Sequence, residues 1–236
     1  MTLRALKRFY KDVAVGSVEG SPAVLLDDRP LRTPARAILT FPNEALAAGI
    51  ADEWRDQGDE VQPFSMPLTR IAVSAVDQVV PARDEIVRQV AGYGETDLLC
   101  YRSEQDELAA LQAELWQPLL EWANESLDVS LVAVHGIMPV TQESSSLDAL
   151  RRAVEPHGDM ELSALHLVTT TSGSVILALA ISHGEIDAGR AWELSRLDEA
   201  WQAERWGQDA EATERADQLR DDLLAVARFL ELCRAA

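Results

Sequence analysis

Apolar residues along this chain change their spacing near residue 43. Up to Phe41 they come in short runs bounded by turn-forming residues: Tyr10-Lys11-Asp12-Val13-Ala14-Val15 alternates in part, Ala23-Val24-Leu25-Leu26 is a short block, and Ala37 to Phe41 is another. Such runs favour strands, in which successive side chains point to opposite faces. Gly16 to Gly20 is expected to turn the chain between the first two. Asp27-Asp28 predicts a tight turn, with Pro30 at the edge of the next extended piece because proline has no N–H to give to a ladder. These segments make a small, twisted antiparallel unit.

From Asn43 onward the period becomes helical. Asn43 is placed to cap a helix in which Leu46, Ala47, Ile50, Ala51 and Trp54 share a face up to Gly58. Pro67 stands in the first turn of a second helix, with Leu68, Ile71, Ala72, Ala75, Val76 and Val79 on one side and Pro81 at its end. Further helices are expected over about 83–92, over about 104–127 with a bend at Pro118, over 146–155, over 160–170, and in the apolar stretch ending near His183-Gly184. Two long ones, about 187–206 and 209–232, finish the chain. Leu98 to Tyr101 reads as a buried connector and Val129 to Val134 as a lone strand. No internal repeat or low-complexity linker interrupts this order. The fold class is therefore α+β: a small strand-rich antiparallel N-terminal domain (1–63) followed by a larger α-helical bundle domain (64–236).

Composition narrows the function classes. At 236 residues and 47% hydrophobic, the chain can bury a sizeable core without staples. Its two cysteines, Cys100 and Cys233, are far apart and outside any CxxC pattern, which points to reduced thiols and a cytoplasmic setting. The N-terminus is basic but lacks the apolar core of a secretion signal, and no apolar window is long enough to span a membrane. A formal charge of −19 argues against nucleic acid, whose phosphates need clustered Lys and Arg, and against anionic membranes. The charge is uneven: residues 1–36 hold seven Lys/Arg and four Asp/Glu, whereas residues 184–222 hold twelve acids and five Arg. An acidic C-terminal part would meet a basic partner surface, or simply keep the protein in solution.

Catalytic and metal-binding patterns are missing. The histidines, at 135, 157, 166 and 183, fall in separate segments without HxH or HExxH spacing. There is no phosphate-binding GxxxxGK[ST], and Gly92-Tyr93-Gly94 lacks the rest of a dinucleotide fingerprint. Cys100, between Leu99 and Tyr101, reads as a packed thiol. Thr169 to Ser174 offers hydroxyls suited to capping or a turn. Acidic pairs such as Asp27-Asp28, Asp198-Glu199 and Asp221-Asp222 are too common in so acidic a chain to mark a catalytic site. Accordingly no catalytic residue, metal site or cofactor is expected.

One segment stands above this background, Leu194 to Gly207. At 100° per residue, Leu194, Leu197 and Trp201 share one helix face, while Trp192, Glu199 and Trp206 line the opposite one at seven-residue spacing. One face can dock into the helical domain; the other must be covered, left exposed, or used for a partner. A carboxylate between two indoles would attract a partner's Arg or Lys. The bland alternative is that Glu199 makes an ion pair inside a helix bundle.

The chain also carries an ordered series of short words: Arg8-Phe9-Tyr10-Lys11-Asp12-Val13; Leu26 to Pro34; Glu53-Trp54 with Gln57; Met66-Pro67-Leu68-Thr69; Thr96 to Arg102; Gln112 with Trp116, Pro118 and Trp122; and Leu194 to Glu199 with Trp201-Gln202 and Trp206-Gly207. In order and spacing the series resembles the assembly chaperones that hold the alpha subunit of the F-type ATP synthase head before it pairs with beta. The resemblance implies an ATP-independent chaperone, not an enzyme, which shields the beta-facing apolar surface of unassembled alpha subunit. It implies the same fold class and no cofactor; from the charge and hydropathy above, no nucleic-acid partner and no membrane insertion are expected, and the free protein is expected to be a monomer. The family's acidic helix word maps onto Asp198-Glu199. Glu199 is the first choice for partner binding, supported by Asp198, Trp192 and Trp206. Mitochondrial relatives carry a presequence, so a chain beginning just before the Phe-Tyr word is expected to be a bacterial cytoplasmic member, or a processed form from the mitochondrial matrix. Two other readings stay open: an enzyme using an acidic pair with Arg29 or Arg32 in a cleft, and an interaction module for a different partner.

Overall fold

The computed structural model describes residues 6–207 and 210–235, the side chains of residue 6 and of 210–215 excepted. The chain forms two compact units. The first comprises Met1–Arg83, Asp159–Ala164 and Arg228–Ala236; the second comprises Asp84–Gly158 and Leu165–Ala227. A small antiparallel strand region thus precedes a mostly helical chain, as the change in apolar spacing predicts.

In the first unit, β1 (Leu6–Lys7) precedes the hairpin of β2 (Val13–Val18) and β3 (Ser21–Leu26), paired from Val13↔Leu26 to Val18↔Ser21. Its loop is only Glu19-Gly20, both at positive φ (52° and 86°), the geometry that follows the strands' own twist. The turn expected from Gly16 onward is therefore shorter than predicted, and Gly16 lies inside β2 opposite Ala23. Its missing side chain serves close packing: a Cβ there would lie 2.5 Å from Leu25 Cδ1. A second tight turn, Asp27-Asp28 at φ 48° and 62°, leads into β4 (Arg29–Pro30). Asp27 Oδ1 accepts from the Lys11 and Asp12 amides, each at 2.9 Å, and these bonds hold its carboxyl below the usual range. Residues 37–41 make single bridges, Arg32↔Ile38 and Ala23↔Thr40, instead of the continuous strand predicted.

Helix α1 (Glu44–Arg55) starts at Asn43, whose side chain accepts from the Leu46 amide as predicted. It buries Leu46, Ala47, Ile50, Ala51 and Trp54. After β5 (Glu60–Val61), which pairs with β1, comes α2 (Pro67–Ser74). The two words Glu53-Trp54 and Met66-Pro67-Leu68-Thr69 meet here. Glu53 accepts from the Leu68 amide (2.7 Å), the Thr69 amide (2.8 Å) and the Thr69 hydroxyl (2.6 Å), capping α2 from another element. Burial nevertheless pushes the Glu53 carboxyl above its ordinary value. Gln57 braces the same corner, donating to Glu53 O and Ser65 Oγ and accepting from the Gln62 amide. The helix that Pro81 was expected to end instead runs through a π turn at Ala75–Val79 and a tight turn at Val80–Ala82 into α3 (Arg83–Gly92).

The second unit is built around the segment Leu98–Cys100, whose Leu99 and Cys100 are fully buried, and β6 (Tyr101–Arg102). Helix α4 (Asp106–Leu127) continues through Pro118. The lone strand predicted at 129–134 reduces to β7 (Val134–His135), parallel to β6, because the chain before it has no ladder partner. Helices α5 (Ser144–Val154), α6 (Asp159–Ser172, whose start up to Ala164 belongs to the first unit) and α7 (Val175–His183) follow. Every residue from Val175 to Ile181 is buried, so α7 is central and needs no polar face. Ser174 caps its start, and Gly184, at φ 74°, ends it. Last come α8 (Ala188–Ser195), α9 (Leu197–Trp206) and α10 (Ala210–Arg234). Back in the first unit, Asn43 Nδ2 donates to the Leu232 and Cys233 carbonyls, and Gly49 leaves room for Leu232, 2.7 Å from where a Cβ would sit. Among the described residues no helix is long and apolar enough to cross a membrane.

Candidate functional site

The predicted helix over 187–206 is two helices. Arg196, at φ −114° and ψ 17°, interrupts it, its amide shared between the Trp192 and Glu193 carbonyls at 3.1 and 3.3 Å. The break resets the helical phase, so the seven-residue line of Trp192, Glu199 and Trp206 does not run down one continuous helix.

The inward positions remain as the pattern predicts. Leu194, Leu197 and Trp201 are all buried. Trp116 Nε1 of α4 donates to Leu194 O at 3.0 Å, fixing the end of α8. Gln112, wholly buried in α4, accepts from the Ser103 amide at 2.6 Å and donates to Asp198 Oδ1 at 2.7 Å. Asp198 thus ties α9 to α4, and Gln112 carries the link on to Ser103 in the segment after β6. Arg102 stacks its guanidinium over Trp116, 5.1 Å from the ring centroid, and its terminal nitrogens are buried without a hydrogen-bond partner. Burial draws its pKa below the ordinary arginine value. Gln112, Trp116 and Arg102 occur in the sequence words, but periodicity gave no signal that they would support α9.

On the outward side, Glu199 is exposed and pairs with Arg196 at 2.6 Å, three residues earlier. Arg196 also lies 5.7 Å from the Trp192 ring centroid, and Trp192 is half-buried. Trp206 is 69% exposed and meets Trp201 edge to face at 5.9 Å. Arg205 stacks its guanidinium over Trp201, 3.6 Å from the ring centroid, and pairs with Glu107 at 2.5 Å. The four predicted residues therefore divide: Asp198 is engaged with α4, whereas Glu199, Trp192 and Trp206 offer a carboxylate and two indoles with accessible surface. An exposed ion pair such as Arg196–Glu199 is worth about 0–1 kcal/mol, so exchanging it for a partner's cation costs little.

Of the catalytic alternative, Asp27, Arg29 and Arg32 line one groove of the first unit, where Asp27 is the single acid among the described lining residues and its pair partner Asp28 is not one of them. Among the described residues no group of three His, Cys, Asp or Glu converges to hold a metal. Burial pushes the Cys100 thiol up to about 12, which keeps it protonated. His157 and His183 meet with ring centroids 6.4 Å apart, His183 also against Trp122 at 5.7 Å, in an aromatic cluster. A polar cavity of about 440 Å³ near His166, Thr170 and Tyr93 has no carboxylate in its lining.

Comparison with known proteins decides the family. A family model described as ATP12 chaperone protein matches residues 7–124. The crystal structure of Atp12 from Paracoccus denitrificans superposes with a TM-score of 0.93 at 44% identity, covering 97% of this chain and 99% of that one. The chain belongs to the ATP12 chaperone family. An Asp-to-Lys mutant of P. denitrificans Atp12p superposes equally well, TM-score 0.93 at 43% identity over 97% of this chain and 98% of that one. The mitochondrial protein atp12 of Schizosaccharomyces pombe is 26% identical over 97% of this chain and 83% of its own length. As an ATP12 chaperone of the bacterial type, the chain is a chaperone, not an enzyme, and it shares the Atp12 fold along nearly its whole length.

Proposed function

We propose that the chain binds unassembled alpha subunit of the F-type ATP synthase head, shields the apolar surface that beta later covers, and so promotes assembly of the head. No nucleotide and no chemical step is involved. Membership of the ATP12 family carries this reading, and the α8–α9 surface supplies its contact. Trp206 and Trp192 bury apolar area when a partner docks, and Glu199 exchanges Arg196 for a partner's Lys or Arg. Asp198 supports that surface from beneath, holding α9 to α4 through Gln112. The protein acts in the bacterial cytoplasm, consistent with its two unpaired cysteines, and is a monomer until it meets its client.

Charge reversal separates the two acids. Glu199→Lys is expected to keep the cooperative thermal transition and to weaken alpha-subunit binding by about tenfold, equivalent to about 1.4 kcal/mol. Asp198→Lys loses the Gln112 hydrogen bond and is expected to lower the melting temperature as well. Calorimetric titration with alpha subunit and thermal melts of both variants check this. A Glu199→Lys protein that no longer melts cooperatively would make Glu199 a structural residue and remove it from the binding surface.

A further inference from the structure

The first unit contains a groove that the α8–α9 surface does not explain. It has a volume of about 1030 Å³, at the top of the range of about 300–1000 Å³ for small-ligand pockets, room enough for several side chains. Its lining is mostly apolar: Tyr10, Leu26, Leu31, Val61 and Met66, all buried in the core, and Val73 of α2. Phe9 also lines it, 68% exposed, with its ring edge to face on Tyr10 at 5.3 Å. Pro30, Pro34 and Pro63 stiffen the walls, so little ordering is left to a ligand.

Its charge runs against that of the chain. In a protein of net charge −19, the groove is bordered by Arg29, Arg32 and Arg70, the last already interacting with the Glu53 carboxylate, and by one acid, Asp27. Asp27 is already engaged by the Lys11 and Asp12 amides. Arg32 donates to Arg36 O at 2.8 Å, which orients its guanidinium. An apolar floor and a cationic rim call for a ligand that is apolar and carries a carboxylate. A polypeptide segment with a bulky apolar side chain next to Asp or Glu has both.

We infer that this groove seats such an acidic-apolar segment of the client subunit, giving the chaperone a second contact on its first unit. The inference rests on the reading that the alpha subunit is the client. Two experiments on the full-length protein test it. Replacing Phe9 with the photo-crosslinker p-benzoylphenylalanine and irradiating the alpha-subunit complex is expected to link to one segment, mapped by mass spectrometry, in which Leu, Ile, Val or Phe neighbours Asp or Glu. The double variant R29E/R32E, changed only at exposed residues, is expected to melt like the parent and to bind alpha subunit about tenfold more weakly, with a flatter dependence on salt. Parent-like affinity in that variant, scattered crosslinks, or capture of a co-purified small amphipathic acid in place of protein would overturn the groove assignment while leaving the chaperone reading intact. Failure of the parent protein itself to bind alpha subunit would instead remove the functional reading and this inference with it.

Discussion

Asp97 shows how much a single side chain organises. It has no exposed surface, and it accepts from the Leu99 amide at 3.0 Å, the Ile176 amide at 3.1 Å and the Ser174 hydroxyl at 2.7 Å. The first bond shapes the segment into β6; the other two anchor the start of α7. Burial pushes its carboxyl up to about 6 from 3.8, although the hydrogen bonds pull the other way. The folded state therefore holds this proton more tightly than the unfolded chain. From pH 3.8 to about 6 the fold binds the extra proton and loses stability as pH rises, by about 3 kcal/mol once the window is crossed. Urea unfolding of the parent and of Asp97→Asn between pH 4 and 7 is expected to show the parent's relative stability declining across that window; a pH-independent difference would contradict the assignment. In the sequence Asp97 was visible only as a member of a family word. Its role depends on Ser174, 77 residues away, and no local period records that distance.

Elements were legible where their cause is local. Asn43 caps α1, Pro67 opens α2, Gly184 ends α7 and Asp27-Asp28 turns the chain, each because the residue's own backbone or side chain settles the geometry. The break at Arg196 was hidden because Leu194, Leu197 and Trp201 keep a helical spacing across it and no Pro or Gly marks it. Gly16 was misread for the converse reason: a glycine usually signals a turn, but here it yields space to Leu25 within a strand. Capping across elements was equally invisible, although both partners stood out as words. Glu53 serves the first turn of α2 from within α1, so Glu53→Ala is expected to destabilise the protein by about 1–3 kcal/mol, the cost of leaving buried donors without a partner. Glu53→Gln, which keeps an acceptor, is expected to lose less. Chemical denaturation of both variants checks the order, and equal losses would show that the carboxylate does not act as a cap.

At the scale of the whole molecule, two surfaces of opposite character sit on two units of one acidic chain. The α8–α9 surface joins indoles to a carboxylate; the groove of the first unit joins an apolar lining to arginines. The first is proposed from a line of large residues in one segment, a line that the break at Arg196 divides between two helices. The second was not legible in the sequence, because its lining comes from residues between 9 and 74 that only folding gathers. A client held through both would have to offer cations at one contact and carboxylates at the other, along with exposed apolar area. Binding of that kind is reversible burial, and it requires no nucleotide. The most direct test mixes the purified protein with isolated alpha subunit in nucleotide-free buffer, following light scattering and then gel filtration. The account predicts suppressed aggregation and a stoichiometric complex. Aggregation at an undiminished rate, with the two proteins eluting separately, would contradict it.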